Sequence, residues 1–464
     1  MKHKKPFKKA IFIFRRDLRL YDNHGLREAT RQAEQVLPVF IFDPEQVGPE
    51  NRYRSDNALQ FMFQALKSLG DQIRDQHGDL YFLYGNPQDC LAKLMEQLSV
   101  DALFVNRDYT PFSRKRDADL AQLCAQFTIP FVVNNDLLLH EPESVLTKAG
   151  TPYKTFTPFL KAVYRRTVEK PEALPTVHWY QKRVPVAMSL AGLEKKILPE
   201  ENSSLAVQGT HAQAQEILEA LANFKEYEHE RNRPSVPTTH LSAYLKFGLL
   251  SVRQVYYRLK EINARNNGLI AQLYWRDFFT HAVFHNPKLL GHAGIARYET
   301  VAWSYDRKKF QAWCMGKTGF PLVDAGMRQL NKTGFMHNRV RMITASFLVK
   351  DLQIDWRWGE RYFAHKLVDY DPAVNNGNWQ WVASTGTCSQ PYFRVFNPWL
   401  QQKRYDADCA YIKRWIPELA QLTPKQIHSL SKCAEPIVAE YPLPMLEHDV
   451  AAKKSIRLFK DAFQ

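Results

Sequence analysis

The sequence predicts an α/β N-terminal domain built on a doubly wound parallel sheet, joined by a long connector to an all-helical domain. Three observations predict this. Residues 10–140 alternate short β-rich runs with amphipathic stretches, residues 141–210 are broken by recurrent prolines, and the pattern from 211 onward is helical. The expected boundaries are 8–140, 141–210 and 211–464. A chain of 464 residues is too long for one ordinary core, so division into domains is expected on length alone.

The β-rich runs are AIFIF (10–14), VLPVFIFD (36–43), DLYFLYG (79–85), ALFVN (102–106) and PFVVN (130–134). Polar, amphipathic segments such as RSDNALQFMFQALKSLGDQI separate them. Strand–helix alternation of this kind gives a parallel sheet with helices on both faces. Such sheets bind ligands beyond the carboxyl ends of their strands. No GxGxxG follows the first run, which excludes an ordinary dinucleotide site there. In the connector, prolines stand at 142, 152, 158, 171, 175, 185 and 199, and one helix is expected around FTPFLKAVYRRTVEK.

Beyond it, SVRQVYYRLKEINA starts a helix with Ser251 as N-cap. In GLIAQLYWRDFFTHAVF, Gln272, Trp275, Arg276 and Phe279 fall at i, i+3, i+4 and i+7, so an amide, an indole, a guanidinium and a ring share one face. In MHNRVRMITASFLVKDL, Asn338, Arg341 and Met342 share a face, with Arg339 at its flank. Polar and aromatic groups mixed on one face are poor core material and point to a cavity.

Lys+Arg 63 against Asp+Glu 48 gives a net charge of +15, which favours a polyanionic partner such as nucleic acid. No apolar run approaches the roughly twenty residues of a membrane span. AIFIF is too short for a signal-peptide core, and charges follow it at once. Cys90, Cys124, Cys314, Cys388, Cys409 and Cys433 form no CxxC pair, which reads as reduced thiols in a cytoplasmic protein and gives no zinc site. Gly316-Lys317-Thr318 fails as a P-loop because Gln311 stands where its first glycine should be. HExxH and GxSxG patterns are absent, so no metal site is assigned and metal hydrolysis and serine chemistry have no support.

Two segments carry chemistry. DYDPAVNNGNWQW (369–381) packs two carboxylates, three asparagines and two tryptophans around a glycine, and nine of the ten tryptophans lie beyond residue 270. Amides and acids beside indoles suit a flat redox cofactor, although buried indoles more often fill space. VPTTHLSAYLKFG (236–248) places Thr238, Thr239 and Ser242 at an expected helix start, which suits a phosphate as well as an ordinary cap.

These segments, with RRDLRLYDNHGL, LYWRDFF, GKTGFPLVDAGMRQL, TGFMHNRVRMITASFLVKDL, DWRWGERYF, the extension VASTGTCSQPYFRVFNP and YPLPMLEH, resemble the DNA photolyase/cryptochrome family in unbroken order. Within it the chain looks most like the class I cyclobutane pyrimidine dimer photolyases. The resemblance implies that the helical domain binds FAD in a folded form. It implies that Tyr227, Thr238, Thr239, His240, Leu241 and Ser242 hold the FAD phosphates, that Arg276, Asp369, Tyr370 and Asp371 line the flavin and its adenosine end, and that Asn375 sits against flavin N5. Trp379, Trp356 and Trp303 match the family's tryptophan relay, and Trp313, Trp358, Trp399 and Trp415 match no such role and read as packing or surface. Arg231, Gln272, Trp275, Asn338, Arg339, Met342, Trp381 and Gln401 match lesion and DNA contacts, with Gln272 and Asn375 counted among the catalytic positions.

Three positions depart from the pattern. Gln272 stands where cyclobutane-dimer enzymes usually carry Glu, His240 replaces an arginine, and Phe112-Ser113 replaces the Asn-Glu pair of folate-antenna binding. The antenna is therefore open between folate, a deazaflavin, a second flavin and none. Gln272 also fits the (6–4) branch, but that branch uses two histidines where this chain has Asn338 and Met342. Neither can act as a general acid near neutral pH. The expected activity is light-driven repair of cyclobutane dimers in damaged DNA by a cytoplasmic monomer with no obligate protein partner. A (6–4) photolyase and a blue-light photoreceptor are the alternatives.

Overall fold

The structure, a computed structural model, describes residues 4–198, 200–262 and 267–462. Pro199 and the expected end of the SVRQVYYRLKEINA helix at 263–264 lie outside the described residues. The chain forms two compact units, one of Met1–Glu201, Val207–Lys225 and Thr239–Pro287, the other of Asn202–Ala206, Glu226–Thr238 and Lys288–Gln464.

The first unit holds the sheet. Its strands are β1 (Phe7–Phe14), β2 (Ala33–Phe42), β3 (Tyr81–Tyr84), β4 (Ala102–Asn106) and β5 (Phe131–Asn134). They lie in the order β3-β2-β1-β4-β5, and every pair is parallel. Central β1 aligns Ile11 with Leu37 on one side and Leu103 on the other. Residues Ala10 to Phe14 are all buried, as a strand covered on both faces must be. Helices His24–Gln32, Asp56–Asp75, Pro87–Leu98 and Pro111–Gln126 make the crossovers. Asn23, Ser55, Asn86 and Thr110 cap their N-termini through side-chain oxygens.

All five predicted strands form, but β1 and β2 begin three residues earlier than their apolar runs. The Asp101 carboxylate accepts from the Lys8 and Lys9 N–H groups at 2.9 and 2.8 Å and so holds the polar lead of β1 in the ladder. Helix Phe156–Val163 appears in the connector, and Ser251 Oγ accepts from Arg253 N at 3.1 Å at the start of helix Val252–Ile262. Asp136 ties this unit together. Fully buried, it accepts from both Arg19 and Arg253, while Arg253 also reaches Asp22.

The second unit is helical. Its named elements include Arg307–Met315, Pro321–Thr333, Asn338–Ser346, Trp356–Lys366, Pro372–Ala383, Pro398–Tyr405 and His448–Asp461. A π-helical turn, Phe347–Asp351, extends Asn338–Ser346. One buried cluster contains Trp303, Trp313, Trp356 and Trp379 together with Phe347, Leu348 and Phe363. No helix among the described residues is long and apolar enough to cross a membrane.

Candidate functional site

In the first unit, helix Asn267–His285 carries the predicted mixed face. Gln272, Trp275 and Arg276 are half-buried, whereas Phe279 is buried. Phe156 stacks on the Trp275 indole with centroids 3.7 Å apart and planes at 10°, and Phe278 meets it edge-on. The indole is thereby fixed in one orientation. Arg276 pairs with Asp277 at 3.0 Å, and burial pushes the Asp277 carboxyl up to about 6. Helix Leu241–Phe247 starts where the hydroxyl-rich segment predicts, with Thr239 just before it and Ser242 in its first turn. Its N-cap, His240, adopts φ 52°, ψ 15°, and its side chain does not cap the helix. A non-glycine residue in the left-handed region costs on the order of 1–2 kcal/mol.

In the second unit, Tyr227 opens the short helix Tyr227–Glu230, and Thr238 ends that chain segment. Asp371 caps helix Pro372–Ala383, accepting from Ala373 N at 3.0 Å and Val374 N at 3.1 Å. Asp369 is gripped by both terminal nitrogens of Arg341 at 3.2 and 3.0 Å, and half-buried Tyr370 stands between the two acids. The two acids therefore have structural partners of their own.

Asn375 is buried one turn into that helix. Its Nδ2 donates to Glu360 O at 3.0 Å and to Glu360 Oε1 at 3.1 Å. With both amide hydrogens committed, the Asn375 carbonyl is the end left to accept a hydrogen bond. Burial pushes the Glu360 carboxyl up to about 7, against the opposing hydrogen bond from Asn375. Of the other amides in this stretch, Asn376 and Gln380 bond to each other, and Gln380 also holds the loop carbonyls of Leu289 and His292. Their role is architectural.

Trp379, Trp356 and Trp303 are 2%, 0% and 7% exposed within the one buried cluster. Trp379 stands edge-on to Phe363 at 5.0 Å, and Gly359 lies against its six-membered ring. On helix Asn338–Ser346, Asn338 Nδ2 lies 3.9 Å from Met342 Sδ, so the two side chains share a face as predicted. Arg339 bonds Asn232 Oδ1 at 2.6 Å and covers the Tyr405 ring at 4.6 Å. Burial lowers the Arg339 pKa, and the neighbouring charges of Arg231, Arg404 and Arg394 push it the same way. The positive charge of Arg231, Arg404 and Arg394 is thus felt at Arg339, which suits a polyanion. Trp381 and Gln401 are half-buried, the former packed on the core.

Residues 10–177 match the family described as DNA photolyase, and residues 269–461 match the FAD binding domain of DNA photolyase. The deoxyribodipyrimidine photo-lyase of Alkalihalophilus pseudofirmus is 36% identical, over 97% of this chain and 98% of its own. The chain belongs to the DNA photolyase/cryptochrome family. An archaeal photolyase from Sulfolobus tokodaii, solved with two FAD molecules, superposes with a TM-score of 0.89 at 38% identity, covering 98% of this chain and 100% of that one. A class III photolyase from Agrobacterium tumefaciens superposes at 0.92 with 32% identity, covering 100% and 99%.

FAD is the cofactor of this family's helical domain, and the donor set at Asn375 fits it. A carboxamide whose N–H groups are tied back to Glu360 presents an acceptor, which is what a protonated flavin nitrogen requires. Glu360, Phe156, Asn232 and Gly359, which motif reading did not single out, each contact a candidate site residue: Asn375, Trp275, Arg339 and Trp379 respectively. Glu360 and Gly359 lie inside the DWRWGERYF motif, but only their contacts reveal what they do.

The Glu360 carboxyl makes a testable contribution to stability. Burial raises its carboxyl above the ordinary glutamate value in the folded chain, so the folded chain binds the proton more tightly. Stability from this group is complete at low pH and is lost as pH rises from about 4.5 to about 7. Glu360→Gln keeps an acceptor for Asn375 and removes the titration. The variant should melt higher than wild type at pH 8 and equally at pH 4.5. Equal melting temperatures at both values would sink the assignment.

Proposed function

We propose that this protein repairs cyclobutane pyrimidine dimers in DNA, using light and a reduced flavin as one-electron donor. The observation that carries this reading is the Asn338–Met342 pair, 3.9 Å apart on one helix face. Neither side chain can supply the proton that moving a hydroxyl in a (6–4) lesion demands. Bound FAD supplies the light-driven electron. Around it, the chain's residues orient and partition. The Asn375 carbonyl, with its amide fixed by Glu360, would offer the flavin ring an acceptor. Tyr227 and Thr238 to Ser242 hold the phosphates, while Arg276 and Asp369 to Asp371 line the rest of the cofactor.

Trp275 and Trp381 stack against the flipped bases, replacing lost base stacking. Gln272 hydrogen-bonds a pyrimidine edge. Arg231 and Arg339, with Gln401, contact the DNA backbone. Trp379, Trp356 and Trp303, all buried in one cluster, would relay electrons between the cofactor and the rest of the helical unit. The protein acts as a monomer in the cytoplasm, with no obligate protein partner. As antenna, a second flavin is favoured over folate. Ser113 is buried with its hydroxyl on Asp108 at 2.9 Å, and the Sulfolobus tokodaii relative holds two FAD molecules.

The reading is tested with oligonucleotides carrying either lesion, illuminated with reduced enzyme. Thymine recovery is expected from the cyclobutane lesion only. Gln272→Glu should raise the yield per photon, because a carboxyl group can share a proton with the dimer radical anion. Repair of the (6–4) lesion alone would overturn the substrate assignment, and light-dependent repair of neither would favour the photoreceptor.

DNA binding should be dominated by phosphate contacts. Affinity for dimer-containing DNA should fall steeply between about 50 and 200 mM salt through counterion release. Arg339→Ala should reduce the slope of log affinity against log salt by about one. An unchanged slope would remove Arg339 from the phosphate contacts.

A further inference from the structure

We propose that Trp313, Trp358 and Tyr305 form a second electron-relay branch that leaves Trp379 and exits to solvent at Tyr305. The inference rests on the reading of Trp379 as the residue that feeds the flavin. The Trp379 and Trp313 centroids are 6.3 Å apart, edge-on. Phe310 bridges the next step, lying 5.8 Å from Trp313 and 5.1 Å from Trp358. Tyr305 follows at 5.7 Å from Trp358 and is 62% exposed. Four oxidisable rings and one spacer thus run from a fully packed indole to water.

The relay through Trp356 and Trp303 ends differently. Trp303 is 7% exposed and lies edge-on to Phe459 of helix His448–Asp461. The indole N–H groups of Trp303 and Trp356 have no acceptor among the described residues. An oxidised indole there cannot pass its proton to a neighbouring group. Trp313 donates its N–H to the Thr344 carbonyl at 3.0 Å, which holds the ring but takes no proton, whereas the Tyr305 phenol faces solvent and can lose its proton there. The Tyr305 end is therefore where a hole is trapped by proton loss.

Trp379 gives one electron to the light-excited oxidised flavin. Trp313 refills Trp379, Trp358 refills Trp313 across Phe310, and Tyr305 refills Trp358. The phenolic proton of Tyr305 goes to water, leaving a neutral tyrosyl radical. A soluble thiol then donates a hydrogen atom to that radical and restores the phenol.

The test uses the oxidised holoenzyme under blue light with a thiol present, following flavin absorbance and, separately, the radical spectrum of protein carrying ring-deuterated tyrosine. Tyr305 is exposed and Trp358 half-buried, so phenylalanine at either position leaves the packing nearly intact. Trp303→Phe should retain part of the photoreduction and show a deuterium-sensitive tyrosyl signal. Adding Tyr305→Phe or Trp358→Phe should remove both. The branch is overturned if Trp303→Phe alone abolishes photoreduction. It is also overturned if the double variants match Trp303→Phe with no tyrosyl signal in any of them. If Trp379→Phe photoreduces normally, the underlying reading fails and the branch falls with it. If Trp379→Phe is inactive but no tyrosyl radical forms, the branch alone fails.

Discussion

Trp379→Phe is expected to abolish nearly all blue-light reduction of oxidised FAD while leaving dimer repair intact once the flavin has been reduced chemically. The ring at 379 is buried against Phe363, with Trp313 and Gly359 on its other contacts. Phenylalanine fills most of that space, so the structural cost should stay below the about 3–5 kcal/mol of truncating a buried aromatic to alanine. A benzene ring is far harder to oxidise than an indole, however. Both of the relay routes proposed above begin at this residue, so on that reading neither compensates for its loss. The two readouts separate structure from electron flow. A misfolded variant loses flavin and repair together, whereas a relay variant loses photoreduction alone. Unchanged photoreduction in Trp379→Phe would sink the relay.

The strands were legible because each is a short apolar run in a strict strand–helix alternation, and parallel burial demands that composition. Their first residues were not. Lys8 and Lys9 join β1 through a carboxylate far along the chain, a contact invisible to local pattern. The mixed face of Gln272, Trp275 and Arg276 was legible from helical spacing, but its backing ring, Phe156, sits in the proline-broken connector. Asn375 was legible from its motif, while the orientation of its amide depends on Glu360, fifteen residues away in sequence. Trp313 and Trp358 read as packing because spacing says which residues share a helix face and nothing about rings aligned across helices. The left-handed backbone at His240 was equally hidden, since histidine is only enriched in that region and does not require it.

Gly359→Ala should destabilise the helical unit by about 2 kcal/mol or more, and two opposing effects decide its sign. Gly359 lies inside helix Trp356–Lys366, where alanine is favoured over glycine by about 1 kcal/mol. Against that gain, a Cβ at this position would stand 2.2 Å from Trp379 Cη2 and 2.5 Å from Leu348 Cδ2. Neither atom ends a flexible surface side chain. Leu348 is fully buried in the π-helical turn, and the Trp379 ring is hemmed in by Phe363. Overpacking of this kind typically costs about 1–3 kcal/mol when neighbours can adjust, and more when they cannot. The clash therefore outweighs the propensity gain. Thermal melting should show the loss, and photoreduction should slow in the folded fraction because the indole must shift. A variant as stable as wild type, with unchanged photoreduction, would mean that the ring is not held against Gly359 and that the packing assigned to Trp379 is wrong.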